Sequence, residues 1–430
     1  MKQYREHTLG AGRREELLRR PSDAAFGAGN AVRELCLDIK AQGDTALRKY
    51  TEQFDGIGIE NFRVPESAFV QAEKIIPGEF KNALAAAISN IEKFHSAQQH
   101  APLFVETMPG VFCRREIRPI ERVGLYVPAG SAPLPSTVLM LGIPAKIAGC
   151  SRIVLCSPPK GAGTVDPYVL AAARAIGIDE VYSAGGAQAI AALAYGTQSI
   201  PKVDKIFGPG NRYVAAAKQF VSADTQGAAV DMLAGPSEVL IIADSGADPE
   251  IIAIDMISQA EHDPDSQAVL VTTDADLAAR VDEILPAMAG RFPRNIIVEK
   301  SLKNSFAFIA ETQESALRFT NDYAPEHLIL NTADAESLVP FIINAGSVFV
   351  GRCTPVTAGD YASGTNHTLP TSGSARWSSG LSLESFQKTV TFQTLTQDGL
   401  MQLAPSLTAF ADAEGLQAHG EAVRRRLVQK

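Results

Sequence analysis

The chain has 430 residues, of which 46% are hydrophobic and 20% are charged, and its formal net charge at pH 7 is −9. This composition is typical of a globular protein with enough apolar material for a large core, and the length suggests about three domains. The acidic excess argues against general binding to nucleic acid or to an anionic membrane, because both depend on excess lysine and arginine.

No targeting or membrane-spanning segment is predicted. The first 20 residues are rich in arginine and lack the apolar core of a secretory signal. The most apolar stretch, residues 137–156, is interrupted by Pro144, Lys146 and Arg152, which argues against a transmembrane helix. The five cysteines include no Cys-x-x-Cys spacing, so neither a disulfide framework nor a thiolate zinc site is indicated. We predict a soluble, cytoplasmic protein.

The first hundred residues are predicted to be helical. Residues 82–95 place Leu84, Ile88, Ile91 and His95 at helical spacing, so that one apolar stripe faces a core. On this pattern His95 is a packing residue rather than a ligand.

From residue 122 onward, short β-rich runs alternate with helix-length segments. The first series pairs 123–127 with 136–148, 152–156 with 167–176, 180–182 with 187–195, and 205–207 with 212–221. The second pairs 239–243 with 249–260, 268–272 with 276–284, and 328–330 with 333–344, and closes with 347–350. This alternation is typical of βαβ units. We predict an α/β protein with two doubly wound domains and a site in the cleft between them.

After Gly380 the pattern is irregular until a helical tail begins at about Ala409. The tail has few apolar residues and is therefore expected to pack on another domain or on a partner subunit.

Two glycine-rich turns follow predicted strands, although no complete Gly-x-Gly-x-x-Gly dinucleotide fingerprint is present. Gly208-Pro-Gly-Asn211 would offer backbone N–H groups and a helix N-terminus to a phosphate or an amide. Gly185-Gly-Ala-Gln188 has the same setting. From spacing alone, an ordinary βα turn is the favoured interpretation of both segments.

Histidines and carboxylates mark the other candidate sites. Gln259 and His262 are three residues apart on a predicted helix and could share a metal ion, but a histidine at a helix C-terminus is also a favourable cap. Glu326 and His327 stand where a strand begins and suit general acid–base chemistry, provided the backbone is irregular there, since regular strand residues alternate in direction. Pro325 is expected to keep Ala324 extended.

The polar block of residues 357–370 is too poor in apolar residues for packing, and loops of this kind usually carry sites or are mobile. Asp360 could supply an oxygen ligand, and His367 a ligand or a hydrogen bond. His419, taken by position alone, is an exposed tail residue. Cys150 and Cys156 lie in apolar surroundings, which argues against a catalytic thiolate.

Taken together, these segments closely resemble the histidinol dehydrogenase family, in order and over essentially the whole chain. The matching motifs are Val123-Gly-Leu-Tyr-Val-Pro128, Gly185-Gly-Ala-Gln-Ala-Ile190, Phe207-Gly-Pro-Gly-Asn211, Ala234-Gly-Pro-Ser-Glu238, Ser258-Gln-Ala-Glu-His262, Tyr323-Ala-Pro-Glu-His327, Ala358-Gly-Asp-Tyr-Ala-Ser-Gly-Thr-Asn-His367 and Ala413-Glu-Gly-Leu-Gln-Ala-His419. Asp263 stands where the family usually has glycine, and Ala129 interrupts a usual Gly-Gly.

The resemblance implies an NAD-dependent, four-electron alcohol dehydrogenase with one Zn²⁺ per subunit. It would oxidise L-histidinol to L-histidine through L-histidinaldehyde, the final step of histidine biosynthesis. The implied acid–base pair is Glu326 and His327. The implied zinc ligands are Gln259, His262, Asp360 and His419, all of which, with His327, would also contact the substrate. Ser237, Glu414 and His367 would complete the substrate site, and Tyr126, Gln188 and Asn211 would contact NAD.

The resemblance also implies two incomplete Rossmann-like domains in a homodimer with composite active sites. The expected division is an N-terminal helical arm at 1–20, a first α/β domain from 21–120 with 236–380, and an NAD-binding domain at 121–235. A C-terminal dimerisation tail at 381–430 would carry Glu414 and His419 to the neighbouring subunit.

Two other classes of protein could use the same residues. A zinc hydrolase would use the metal ligands beside a glutamate that activates water. A two-lobed, metal-dependent binding protein would use them without catalysis. Formation of NADH with histidinol separates the dehydrogenase from both.

Overall fold

The computed structural model describes residues 1–20, 29–129, 132–161, 163–232 and 235–428. Residues 21–28, with which a predicted domain begins, and Ala234, the first residue of one motif, lie outside this part of the chain. The described strands form a six-stranded parallel sheet, a five-stranded parallel sheet and a three-stranded antiparallel sheet. No described helix is both long and apolar enough to cross a membrane.

The N-terminal part of the chain is mostly helical, as predicted, but it begins with a strand. Its elements are β1 (Lys2–Arg5), α1 (Ala11–Leu18), α2 (Gly29–Gln42), α3 (Asp44–Asp55), α4 (Glu66–Ile75) and α5 (Gly78–Ser96). An antiparallel hairpin of β2 (Leu103–Met108) and β3 (Val111–Pro119) follows.

The five-stranded sheet is a doubly wound α/β unit. Its strands are β4 (Arg122–Tyr126), β5 (Arg152–Ser157), β6 (Val181–Ser183), β7 (Lys205–Phe207) and β8 (Ala229–Val230). Its crossover helices are α6 (Pro135–Ala148), α7 (Pro167–Ala175), α8 (Gly186–Tyr195) and α9 (Arg212–Ala223). The spatial order β6-β5-β4-β7-β8 means that the chain turns back between β4 and β7. Ligands of such sheets bind at this switch point.

The six-stranded sheet repeats that winding and adds β1 at one edge. Its other strands are β9 (Glu238–Ala243), β10 (Gln267–Thr272), β11 (Phe306–Ile309), β12 (His327–Asn331) and β13 (Ser347–Val350). Its helices are α10 (Pro249–Ala260), α11 (Ala275–Ala289), α12 (Asn295–Leu302), α13 (Gln313–Tyr323) and α14 (Val356–Tyr361). The order β1-β11-β10-β9-β12-β13 places the switch point between β9 and β12. Every residue of these two strands is buried, because helices cover both faces of the sheet.

The predicted α/β class with two incomplete, doubly wound parallel sheets is confirmed. Counted along the chain from β4 or from β9, both sheets have the strand order 3-2-1-4-5. One helix differs from the prediction: residues 333–344 contain only the short 3₁₀ helix Glu336–Phe341. Pro340 lies inside it and cannot donate a backbone hydrogen bond, so a longer α-helix is disfavoured.

Helices α2 to α5 pack against the five-stranded sheet. The apolar face of α2, which includes Leu35 and Ile39, shares a buried cluster with the alanine-rich α8. Residues Leu84 and Ile91 of α5 share another with α6. The predicted domain boundaries, in contrast, group residues 21–120 with residues 236–380, which contain most of the six-stranded sheet. Strand β1, from the predicted N-terminal arm, is the part of the N-terminal region that joins that sheet. The division into independent domains stays a prediction.

The C-terminal segment is more regular than predicted. It contains the 3₁₀ helix Leu383–Phe386, β14 (Gln387–Leu395), α15 (Gln397–Ala413) and α16 (Gln417–Val428). Strand β14 pairs with β3 over nine residues. Most β14 side chains are exposed or half-buried, so the sequence lacks the apolar alternation that signals a strand. Helix α15 begins twelve residues before the predicted tail and forms a hairpin with α16.

Phe386 anchors this segment to the five-stranded sheet, so its replacement tests the attachment. Its ring is fully buried and stacks on Phe207 with 4.0 Å between ring centroids. We expect Phe386→Ala to lower the free energy of urea unfolding by about 3–5 kcal/mol, because the cavity remains unfilled. Phe54→Ala, at a ring that is 59% exposed, is the matched control. Equal losses in the two variants would contradict the anchoring role.

Candidate active site

The predicted pair Glu326 and His327 lies at the switch point of the six-stranded sheet, where β12 begins. The Oε2 atom of Glu326 accepts a hydrogen bond from the backbone N–H of Glu238, with 2.8 Å between N and O. The Nδ1 atom of His327 is 3.1 Å from the backbone oxygen of Glu238 and 3.4 Å from Oε2 of Glu326. Both side chains are buried. The first residue of β9 therefore holds both members of the pair.

The irregular backbone that this convergence requires is found at Ala324. The prediction that Pro325 keeps Ala324 extended is wrong, because Ala324 has φ 52° and ψ 66° in the left-handed region. Its N–H donates to the oxygen of Thr320 and so ends α13. The chain reverses direction there, and Glu326 precedes the regular strand instead of alternating within it.

Asp360 lies next to the pair, and His367 holds it in place. Oδ1 of Asp360 is 3.6 Å from Nε2 of His327, an ion-pair distance rather than a hydrogen bond. Nδ1 of His367 is 2.9 Å from the backbone oxygen of Asp360, and its Nε2 is 3.2 Å from Oγ1 of Thr137 on α6. Since a carbonyl oxygen only accepts, Nδ1 of His367 carries the proton and its Nε2 accepts from the threonine hydroxyl. His367 thus connects α6, which packs on the five-stranded sheet, with α14, which packs on the six-stranded sheet.

The charges of the site are strongly coupled. Burial raises the pKa of Glu326. Burial lowers the pKa of His327, but the charge of Glu326 and the carboxylate of Asp360 raise it more, to about 10. Burial raises the pKa of Asp360, but the neighbouring imidazole of His327, with smaller effects of the charges of His367 and His262, lowers it overall. His327 is therefore an ionisable imidazole held between two carboxylates.

Gln259 and His262 approach the same region from the end of α10. Side chains of α10, including Ile257, share a buried cluster with Phe349 and Val356, which lie on either side of the loop leading to Asp360. Gln259 is buried, and its Nε2 atom has no hydrogen-bond partner among the described residues. His262 is exposed, and its backbone oxygen accepts from Arg294.

The other predicted ligands are not brought together in one chain. His419 on α16 and Glu414 after α15 are exposed, and within the described ranges neither forms a side-chain hydrogen bond or ion pair with the other candidates. Over those ranges, no three His, Cys, Asp or Glu side chains form a group able to hold a metal ion. Ser237, in contrast, is next to Glu238 and accepts a hydrogen bond from the Gln267 N–H through its carbonyl.

The predicted NAD residues lie at the carboxyl edge of the five-stranded sheet. Tyr126 ends β4, and its hydroxyl accepts a hydrogen bond of 3.1 Å from the N–H of Gly186. Gln188 is buried on α8 and donates to the carboxylate of Asp55. Asn211 caps α9 by accepting from two backbone N–H groups of its first turn. Tyr126 is the last residue of β4, and Asn211 comes after β7; these two strands flank the switch point.

A buried ion pair that the sequence did not reveal supports the Gly208 turn. Gly208 has φ 124°, and a Cβ there would clash with the carbonyl oxygen of Tyr126. Its N–H donates to Oδ2 of Asp231 at 2.7 Å, and its carbonyl accepts from Nζ of Lys218. Lys218 and Asp231 are themselves paired at 2.5 Å, with side chains 2% and 0% exposed. The only sequence signal is a lysine on the apolar face of α9.

Comparison with known proteins gives one consistent result. Residues 18–427 match the family model described as histidinol dehydrogenase. The chain is 51% identical to the histidinol dehydrogenase of Vibrio parahaemolyticus over 422 residues, 98% of this chain and 97% of that protein. It is 50% identical to that of Pectobacterium atrosepticum over 413 residues, 96% of this chain and 92% of that protein. The crystal structure of histidinol dehydrogenase from Elizabethkingia anophelis matches with a TM-score of 0.94 and 46% identity, covering 99% of this chain and 98% of that one.

The buried pair beneath the Gly208 turn gives a stability prediction. Lys218→Met leaves the carboxylate of Asp231 buried without its cation, so we expect the free energy of urea unfolding to fall by about 3–5 kcal/mol. Lys49→Met, which breaks an exposed ion pair with Asp38, should cost about 1 kcal/mol or less. Adding Asp231→Asn to Lys218→Met should restore part of the loss. A Lys218→Met variant as stable as the Lys49→Met control would refute the role of this pair.

Proposed function

The chain belongs to the histidinol dehydrogenase family, and from that premise we propose that it oxidises L-histidinol to L-histidine by two successive hydride transfers to NAD. L-histidinaldehyde would be the intermediate, and the reaction would complete histidine biosynthesis. The observation that carries this proposal is the buried Glu326–His327 pair, held by Glu238 beside Asp360. A polar pair of this kind is costly to bury and is typical of acid–base sites.

We propose that Gln259, His262 and Asp360 hold one zinc ion with His419 of the partner subunit. Gln259 offers an amide oxygen, His262 an imidazole nitrogen and Asp360 a carboxylate, so this donor set fits a cation with mixed nitrogen and oxygen ligands. When bound, zinc would orient and polarise the substrate alcohol, and NAD would accept the hydride. Tyr126, Gln188 and Asn211, at the carboxyl edge of the five-stranded sheet, would contact NAD.

Proton transfer would be the task of His327. Its Nδ1 donates to the backbone oxygen of Glu238, which fixes the ring and leaves Nε2 as the atom that exchanges protons with the substrate hydroxyl. Nε2 lies next to Asp360 and has no hydrogen-bond partner among the described residues, so it is available for this role. Glu326 would take a proton from the water that adds to the aldehyde in the second oxidation.

The substrate would be held from both subunits. Ser237 is adjacent to Glu238 in one chain, and Glu414 of the partner subunit would reach the same site through the tail. His367 would act through Asp360 rather than by direct contact, because both of its ring nitrogens already have partners.

We propose a homodimer in which the C-terminal tail, residues 381–430, reaches the partner. The support is an apolar surface on an otherwise polar segment: Phe410 is 70% exposed, and Met401 and Leu416 are also exposed. Leu103 and Phe104 on β2 add further exposed apolar area. Exposed apolar patches of this kind mark interfaces between proteins.

Substitution of the acid–base pair tests the proposed reaction. We expect His327→Asn and Glu326→Gln each to lower kcat for NADH formation from histidinol by about 10²–10⁴-fold, because a positioned proton carrier is lost. Affinity for NAD, measured by calorimetry, should change little. The control is His7→Asn, at an exposed histidine of the N-terminal segment. A wild-type protein that forms no NADH with metal and substrate present would refute the dehydrogenase, and binding without turnover would favour a binding protein.

Mixing inactive variants tests the composite site. Asp360→Asn and His419→Asn homodimers should each be nearly inactive. After subunit exchange, half of the dimers are mixed and each contains one intact site, so activity should recover to about a quarter of the wild-type value. Native mass spectrometry would confirm the exchange. No recovery in a mixture that has exchanged would show that each site is built from one chain.

A further inference from the structure

Arg20, at the end of the N-terminal segment, is buried against the active site. Its Nε is 2.5 Å from Oε2 of Glu238 and its Nη2 is 2.9 Å from Oε1, so the guanidinium and the carboxylate form a two-pronged pair. Nη2 also donates to the backbone oxygen of Tyr323 at 2.7 Å, and Nη1 to that of Leu18. The side chains of Arg20 and Glu238 are 5% and 1% exposed.

The carboxylate of Glu238 is enclosed by further contacts. The guanidinium carbon of Arg20 lies 3.5 Å from the centre of the Tyr323 ring, a cation–π stacking distance. The hydroxyl of Tyr323 donates to Oε1 of Gln267 at 2.6 Å and lies 3.5 Å from Oε2 of Glu238. Gln267 is the residue paired with Glu238 on the neighbouring strand β10. Arg20 therefore fixes the carboxylate within a closed, buried network.

Both groups that Arg20 holds are connected to the acid–base pair. The backbone of Glu238 binds Glu326 through its N–H and His327 through its carbonyl. Tyr323 is three residues before Glu326, on the other side of the left-handed turn at Ala324. Strands β9 and β12 are paired from Val239 and His327 onward, and Arg20 spans the two segments just outside that pairing.

We propose that Arg20 is a positioning residue for the proposed histidinol oxidation: it clamps Glu238 and Tyr323 so that Glu326 and His327 keep their mutual geometry. It would act through its contacts with Glu238 and Tyr323. A buried ion pair contributes little net stability compared with an apolar replacement of the same volume. Stability alone therefore does not explain why Arg20 and Glu238 are buried as an ion pair. The planar fork of arginine suits this role better than lysine, which cannot contact both carboxylate oxygens and the Tyr323 carbonyl in the same way.

The test uses the double variant Arg20→Met with Glu238→Gln, which leaves neither charge buried alone, and the single variant Arg20→Lys. We expect kcat for NADH formation to fall about 10–100-fold in the double variant, because small displacements of acid–base groups slow the chemistry strongly. The dissociation constants for histidinol and NAD should stay within about twofold. Arg20→Lys should lose less. The control is Arg14→Met. Arg14 lies on the same N-terminal segment as Arg20, and this substitution breaks its exposed ion pair with Asp322 of α13.

Two results would overturn the proposal. One is a folded double variant, by melting temperature and circular dichroism, whose kcat equals that of the Arg14→Met control. The other is a crystal structure of the double variant in which Oε2 of Glu326 is still 2.8 Å from the Glu238 nitrogen and 3.4 Å from Nδ1 of His327. The proposal rests on the proposed function, and the two fail differently. If the wild-type protein forms no NADH, the proposed oxidation is refuted. The crystal structure of the double variant then decides by itself whether Arg20 positions Glu326 and His327.

Discussion

The site depends on two hydrogen bonds at the backbone of Glu238, whose N–H donates to Glu326 and whose carbonyl accepts from His327. A backbone N–H and a carbonyl at the start of a fully buried strand have little freedom to move, so they orient two ionisable side chains more rigidly than other side chains would. The burial that gives this rigidity also shifts the pKa values of the pair. Position and acid–base properties thus have one structural origin.

The two parallel sheets present opposite edges to the site. Tyr126 and the Gly208 turn lie at the carboxyl edge of the five-stranded sheet, where ligands of doubly wound folds usually bind. Glu326 and His327 lie at the amino edge of the six-stranded sheet. The hydrogen bond between Thr137 at the start of α6 and His367 joins these edges. The two sheets therefore share one winding but carry their candidate groups at opposite edges: the proposed NAD contacts lie at a carboxyl edge, and the proposed acid–base pair lies at an amino edge.

Sequence alone predicts the parts of this fold that depend on local patterns. Helix α10 has the predicted bounds because Asp248 caps it and Pro249 begins it, and Glu326 and His327 are adjacent in sequence as in space. The features that the sequence does not predict depend on residues that are distant in the chain. Arg20 is 218 residues from Glu238 and 303 from Tyr323, and nothing local distinguishes it from the arginines before it. The left-handed conformation of Ala324 likewise departs from the extended conformation that Pro325 favours for the residue before it.

The edge strand β1 has a consequence for the order of synthesis and folding. The strands of the five-stranded sheet, residues 122–230, leave the ribosome as one continuous stretch and can associate as soon as they emerge. Strand β1 is made first, yet its neighbour β11 emerges about 300 residues later, so a long loop must close before they pair. Arg20 likewise cannot form its contacts until Glu238 and Tyr323, 218 and 303 residues later, have been synthesised. The nascent chain therefore completes its proposed acid–base centre late, after the sheet proposed to bind the dinucleotide has formed.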